Sequence, residues 1–193
     1  MRLFIALQID DETLDKLVAA QNVLLEHAEI ARPSTRENLH MTLKFLGHIE
    51  DEDLFSVEDA LDYVHASATF DLTFDHAGWF SAPRTHKSAS GGRAHPFEGF
   101  TWWMGAQPNE GLDTLQRDIE GRMVKLGLEP SQHPFKPHVT LARRVILNEE
   151  SDLEPTAALL VPQPFTAHVS GFSLMESRQE GENLVYERIC GWE

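Results

Sequence analysis

The spacing of apolar positions along this chain changes several times, and each change predicts an element. Leu3, Phe4, Ile5, Ala6 and Leu7 form an unbroken apolar run, which predicts a buried strand over residues 2–9. Asp10 or Asp11 can cap a helix to about residue 28, whose apolar face draws on Leu14, Leu17, Val18, Val23, Leu24 and Leu25. A loop containing Pro33 follows at 30–38, then a strand at 39–46 ended by Gly47. Leu54, Val57, Leu61 and Val64 fall at helical spacing, so Asp51 or Asp53 opens a second helix to about residue 66. Over 68–80, Phe70, Leu72 and Phe74 alternate with Asp71, Thr73 and Asp75, the period of a half-buried strand. Residues 81–97 predict a long loop rich in Ser, Gly, His and basic residues, of a length that is usually functional or mobile. A strand at 99–105 leads to a helix over about 110–126, with Leu112, Leu115, Ile119, Met123 and Leu126 on one face and Gly127 as its stop. A loop with three prolines, 128–137, precedes a strand at 138–146. A polar, proline-marked connection over 148–164 then reaches two last strands near 165–175 and 183–190.

Two of these strands carry the same words. His-Met-Thr-Leu at 40–43 returns as His-Val-Thr-Leu at 138–141. Residues i and i+2 of a strand share a face, so each copy offers a histidine and a hydroxyl side by side. Strict alternation puts Met41, Leu43 and Phe45 on the buried side of the first copy and His40, Thr42 and Lys44 on the open side. Val139 and Leu141 repeat the buried side in the second copy. Imidazoles exchange protons near neutral pH, and hydroxyls can hydrogen-bond the oxygens of an anion held between them. Each half of the chain sets a helix, a proline-containing loop and a His-x-Thr strand in succession, and Arg-Pro-Ser at 32–34 resembles Glu-Pro-Ser at 129–131. This weak repeat predicts two lobes sharing a cleft.

Composition narrows the class. A chain of 193 residues with 41% hydrophobic content can bury a real core, and no apolar run is long enough to cross a bilayer. The apolar N-terminus is too short for a signal sequence and lacks a small-residue cleavage site. The single cysteine, Cys190, cannot form an internal disulfide or a cysteine-based metal cage, and the expected compartment is the cytoplasm. The net charge of −15 disfavours long nucleic acid, but its distribution is uneven. The windows 31–49, 76–97 and 130–148 carry +2, +3 and +3, leaving −23 elsewhere. Two of these positive windows contain the His-x-Thr copies, so an anion is attracted to the motifs and repelled from the rest.

At this point the chain resembles the two-histidine (2H) phosphoesterase superfamily, and within it the bacterial and archaeal RNA 2′,3′-cyclic phosphodiesterases, historically called 2′-5′ RNA ligases. The resemblance rests on Arg-Leu-Phe-Ile-Ala-Leu (2–7), Glu-Asn-Leu-His-Met-Thr-Leu-Lys-Phe-Leu-Gly (37–47), Pro-Phe-Lys-Pro-His-Val-Thr-Leu-Ala-Arg (134–143) and Glu-Ser-Arg (176–178). It implies an α+β fold, a single bilobal domain over 1–193 with antiparallel sheets lining a central cleft and helices packed outside. It implies His40 and His138 as the acid–base pair, with Thr42 and Thr140 as phosphate ligands. Arg143 matches a further phosphate-contacting position, although alternation puts it on the Val139/Leu141 side unless a bulge follows Leu141. Lys44 is a possible addition to the phosphate ligands. At Ala31-Arg32-Pro33-Ser34 many relatives carry a tryptophan that this chain lacks.

The resemblance further implies hydrolysis of RNA 2′,3′-cyclic phosphate ends to 2′-phosphates by a metal-independent reaction, with His138 as base and His40 as acid. Run backwards, the same chemistry joins RNA ends through a 2′-5′ linkage. No cofactor, metal, membrane or protein partner is expected; the substrates are RNA ends or small cyclic nucleotides, and the protein is expected to be a monomer. The alternatives are a non-catalytic nucleotide or RNA-end binding module, and a phosphodiesterase for a small ester such as ADP-ribose 1″,2″-cyclic phosphate. Other candidates are weaker. His86, His95 and His133 lack the close spacing of a zinc site. Trp102 and Trp103 are expected in the core rather than as a base-stacking platform, and Ser177-Arg178 as surface loop.

Overall fold

The computed structural model describes residues 1–64, 68–81, 99–181 and 183–193. Among the described residues the chain forms nine strands and four helices: β1 (Arg2–Leu7), α1 (Asp11–Glu26), β2 (Ala28–Pro33), β3 (Thr42–His48), α2 (Leu54–Asp62), β4 (Phe70–Ser81), β5 (Phe100–Ala106), α3 (Glu110–Lys125), β6 (His138–Leu147), α4 (Leu153–Leu160), β7 (Phe165–Val169), β8 (Phe172–Glu180) and β9 (Asn183–Trp192). Local chemistry fixes the starts of the two long helices, α1 and α3. The Asp10 carboxylate accepts from the Thr13 amide and hydroxyl, both at 2.8 Å, and the Asn109 side-chain oxygen Oδ1 accepts from the Leu112 amide at 2.9 Å. Gly127, in the left-handed region at φ +92, follows the end of α3.

The strands make two antiparallel sheets, ordered β3-β1-β8-β9 and β2-β6-β5-β4-β7. The fold is α+β, as expected. The sheets do not follow the two halves of the sequence: β2 crosses into the second sheet, while β8 and β9 return to the first. A β-bridge between Met41 and Val139 joins the sheets, and the Leu7 amide donates to the Met41 carbonyl at 2.9 Å. The apolar sides of both sheets and of the helices share one core, in which Leu3, Ile5, Leu17, Met41, Trp102, Leu115, Val139 and Leu141 are almost wholly buried.

Three segments depart from the sequence expectation. The loop expected at 30–38 begins inside β2, an edge strand whose Pro33 needs no partner for its missing N–H. The connection expected over 148–164 contains α4, and its Pro155 sits in the first turn, where no intrahelical donor is lost. The strand expected over 165–175 is two strands, β7 and β8, divided at Ser170-Gly171. Most of the loop at 81–97 and the expected end of the second helix lie outside the described residues.

Candidate active site

The Met41–Val139 bridge determines the geometry. In an antiparallel pair the residue before one partner stands opposite the residue after the other, so His40 stands opposite Thr140 and Thr42 opposite His138. Met41 and Val139 are fully buried, which turns all four polar side chains to the open side. The segment leading into the first motif is tied to the second. The Ser34 amide donates to the Leu141 carbonyl at 2.9 Å, and its hydroxyl donates to the Thr140 carbonyl at 2.9 Å.

Both imidazoles are held in the same way. Nδ1–H of His40 donates to the Asn38 carbonyl at 2.8 Å, and Nδ1–H of His138 donates to the Lys136 carbonyl at 2.7 Å. A carbonyl only accepts, so Nδ1 carries the proton and Nε2 of each neutral ring has a free lone pair. Aromatic rings support each imidazole. Phe4 and Tyr186 both lie 4.9 Å from His40 between ring centroids, while Phe80 and Trp103 lie 5.3 and 6.1 Å from His138. Lys136 stacks its ammonium 4.0 Å from the Trp103 ring centroid. Neither Thr42 nor Thr140 has a side-chain hydrogen bond to a protein group among the described residues.

Burial lowers the pKa of His40 from 6.5 to about 4, opposed by its bond to Asn38 and assisted by the charges of Arg143 and His138. Burial also lowers that of His138, opposed by Lys136 carbonyl and assisted by the Lys136 and Arg143 charges. The site therefore has two neutral rings in mutual electrostatic contact and a guanidinium felt by both.

Arg143 reaches this face through a bulge. Trp103 pairs with Thr140 but Trp102 with Ala142, leaving Leu141 as the extra residue. Leu141 and Ala142 are both buried, and Arg143 emerges exposed on the histidine side. A bulge in β3 has the opposite consequence for Lys44. Ala6 pairs with Thr42 and Ile5 with Lys44, so Leu43 is extra and the alternation inverts. Lys44 turns into the core, 3% exposed, and Phe45 turns out, 69% exposed. The Lys44 ammonium bonds the Glu120 carboxylate at 2.9 Å and the Glu129 carbonyl at 3.1 Å. Its inclusion among phosphate ligands is thus corrected: it is buried on the other face.

Trp102 and Trp103 are both buried, but Trp103 lies on the open face beneath Lys136 and Phe80. Ser177 and Arg178 belong to β8 rather than a surface loop, and Arg178 is ion-paired with Glu187 and Glu176. Sequence reasoning missed Phe4, Phe80 and Tyr186 as supports of the imidazoles. Their only signal was aromatic character at strand positions, which core residues share. A separate cavity of about 300 Å³, lined by Leu61, Phe172, Trp192 and neighbours, includes no residue of the histidine site.

The family model for the 2′-5′ RNA ligase superfamily matches residues 11–181. The chain is 27% identical to an RNA 2′,3′-cyclic phosphodiesterase of Escherichia coli K12, over 92% of this chain and 91% of that one. It is 27% identical to a protein of the same name from Methanothermobacter thermautotrophicus, over 74% and 71%. Among solved structures it superposes on E. coli LigT complexed with 3′-AMP with a TM-score of 0.74 at 25% identity, covering 99% and 96% of the two chains. With the match spanning most of its length, the chain belongs to the 2′-5′ RNA ligase superfamily, the two-histidine phosphoesterases.

Proposed function

We propose that this protein hydrolyses the 2′,3′-cyclic phosphate end of RNA to a 2′-phosphate, with His138 as general base and His40 as general acid. The observation that carries the proposal is the facing pair of neutral imidazoles, each with Nε2 free, each opposite the other copy's threonine. The names of the relatives in E. coli and M. thermautotrophicus support the same substrate class.

Nε2 of His138 takes a proton from water as the water oxygen bonds to phosphorus. The P–O3′ bond breaks, and Nε2 of protonated His40 gives its proton to the departing 3′ oxygen. The two rings thereby exchange protonation states and reset through solvent. Thr42, Thr140 and Arg143 stabilise the charge growing on the phosphoryl oxygens, a large contribution in such reactions. The acid must be protonated, whereas burial favours the neutral form of both rings. The incoming phosphodiester anion supplies the compensating charge that raises the pKa of His40. The same site forms a 2′-5′ linkage without ATP when a 5′ hydroxyl takes the place of water: its oxygen bonds to the phosphorus of the cyclic phosphate as Nε2 of His138 takes its proton, the P–O3′ bond breaks, and His40 protonates the 3′ oxygen. The whole chain acts as one bilobal catalytic unit, since each His-x-Thr strand supplies half of the phosphate site.

The test is turnover of a 2′,3′-cyclic mononucleotide, with the product identified by phosphorus NMR. His40→Ala and His138→Ala should each lose roughly 10²–10⁴-fold in kcat. Activity should persist in EDTA, and the product should be the 2′-phosphate. Near-normal turnover in either variant removes that histidine from the reaction.

A further inference from the structure

Arg32 and Arg143 are direct cross-strand partners in the β2–β6 ladder. From Arg32 onward the ladder runs without a shift, since Pro33 pairs with Ala142 and the Ser34 amide bonds the Leu141 carbonyl; the irregularities of β2 lie before it, between Ala28 and Arg32. Directly opposed residues share a face, so Arg32 lies on the open face with Arg143, consistent with its exposure and with Ala31 packing toward the core. Neither guanidinium has a carboxylate partner among the described residues, although the chain carries 31 acidic side chains. Arg36, only four positions on, is by contrast paired with Asp11 and Asp15. Like charges directly opposite repel, and an anion between them reverses the sign of that interaction.

The two arginines are not equivalent. The Arg143 charge acts on both imidazoles, whereas Arg32 stands one strand further out, about 4.8 Å away in the sheet. β2 is the edge of its sheet, so among the described residues no further strand lies outward of Arg32.

We propose that Arg32 binds a second phosphate: the phosphodiester on the 5′ side of the terminal nucleotide, with Arg143 between it and the reacting phosphate. This rests on the cyclic-phosphate reading above and deepens it. The preferred substrate is then a single-stranded RNA end of two or more nucleotides rather than a free cyclic nucleotide. The strand leaves across the β2 edge.

The experiment compares adenosine 2′,3′-cyclic phosphate with the dinucleotide ApA ending in a 2′,3′-cyclic phosphate, for wild type, Arg32→Ala and Arg32→Lys. The wild type should show the lower KM for the dinucleotide. Arg32→Ala should raise that KM by about ten-fold or more, as loss of a hydrogen bond to a charged group does. Its turnover of the mononucleotide should match wild type, and Arg32→Lys should retain part of the dinucleotide preference. Replacing the internal phosphodiester with an uncharged methylphosphonate should abolish the effect of Arg32→Ala. Equal loss on both substrates, or no loss on either, overturns the inference while leaving the hydrolytic reading intact. A wild type that hydrolyses neither substrate overturns the cyclic-phosphate reading, and this inference with it.

Discussion

The histidines are the residues on which the account turns, and their protonation is measurable. Burial lowers both pKa values, that of His40 to about 4. Binding a permanently charged anion such as sulfate should therefore take up protons. Its affinity should rise as pH falls from 7 toward 4, because the protonated ring binds the anion better. Calorimetry in buffers of different ionisation enthalpy checks this, and proton release on binding would contradict it. Stability should respond with a known sign. A histidine whose pKa is lowered by folding binds more protons when unfolded, so its contribution is present above pH 6.5 and is lost as pH falls toward 4. Each unit of separation corresponds to roughly 1.4 kcal/mol. Denaturant titrations of His40→Asn should show a flatter pH dependence than wild type over that window. At this scale His40, Thr42, His138 and Thr140 were legible because the repeated motif names them without any knowledge of register. Lys44 was misread because period-2 alternation assumes an unbulged strand, and Leu43 breaks it.

At the scale of elements, bulges decide which cations reach the histidine face. The bulge in β3 turns Lys44 into contact with Glu120, while burial raises the Glu120 pKa but hydrogen bonds from Ser131 and Lys44 more than offset it. Lys44→Ala leaves that carboxylate without its cation and should cost roughly 2–3 kcal/mol of stability. Its kcat/KM per folded molecule should stay at the wild-type value; a selective loss of activity would return Lys44 to the phosphate site. The β5–β6 ladder has a second irregularity, between the Phe100–Val145 and Trp102–Ala142 pairs, and it has a backbone requirement. Gly99 lies at φ +82, and a Cβ there would sit 2.7 Å from the Arg144 carbonyl carbon and 2.9 Å from the Val145 nitrogen. Arg144 itself is left-handed at φ 56. Gly99→Ala should destabilise the protein by roughly 1–3 kcal/mol and displace Arg143, lowering turnover as well as the melting temperature. Most strands and the long helices were legible from periodicity. β2 and α4 were not, because each contains a proline that is tolerated only at an edge or in a first helical turn, and neither condition is visible locally.

The whole molecule brings together two motifs 98 residues apart by exchanging strands between its sheets. β2 carries Arg32 to the edge beside β6, and β9 carries Tyr186 to the first sheet, against His40. No pattern within one segment announces such a crossover. The uneven charge was legible: a strongly acidic chain leaves its motif-bearing windows positive, which favours an anion there. The most direct measurement is a crystal structure with vanadate and a ribonucleoside in the groove. We expect Nε2 of His40 and Nε2 of His138 at about 2.6–3.2 Å from apical oxygens on opposite sides of the vanadium, with both threonine hydroxyls on its remaining oxygens. A vanadate held by one histidine alone, or bound away from both, would contradict the shared-phosphate mechanism.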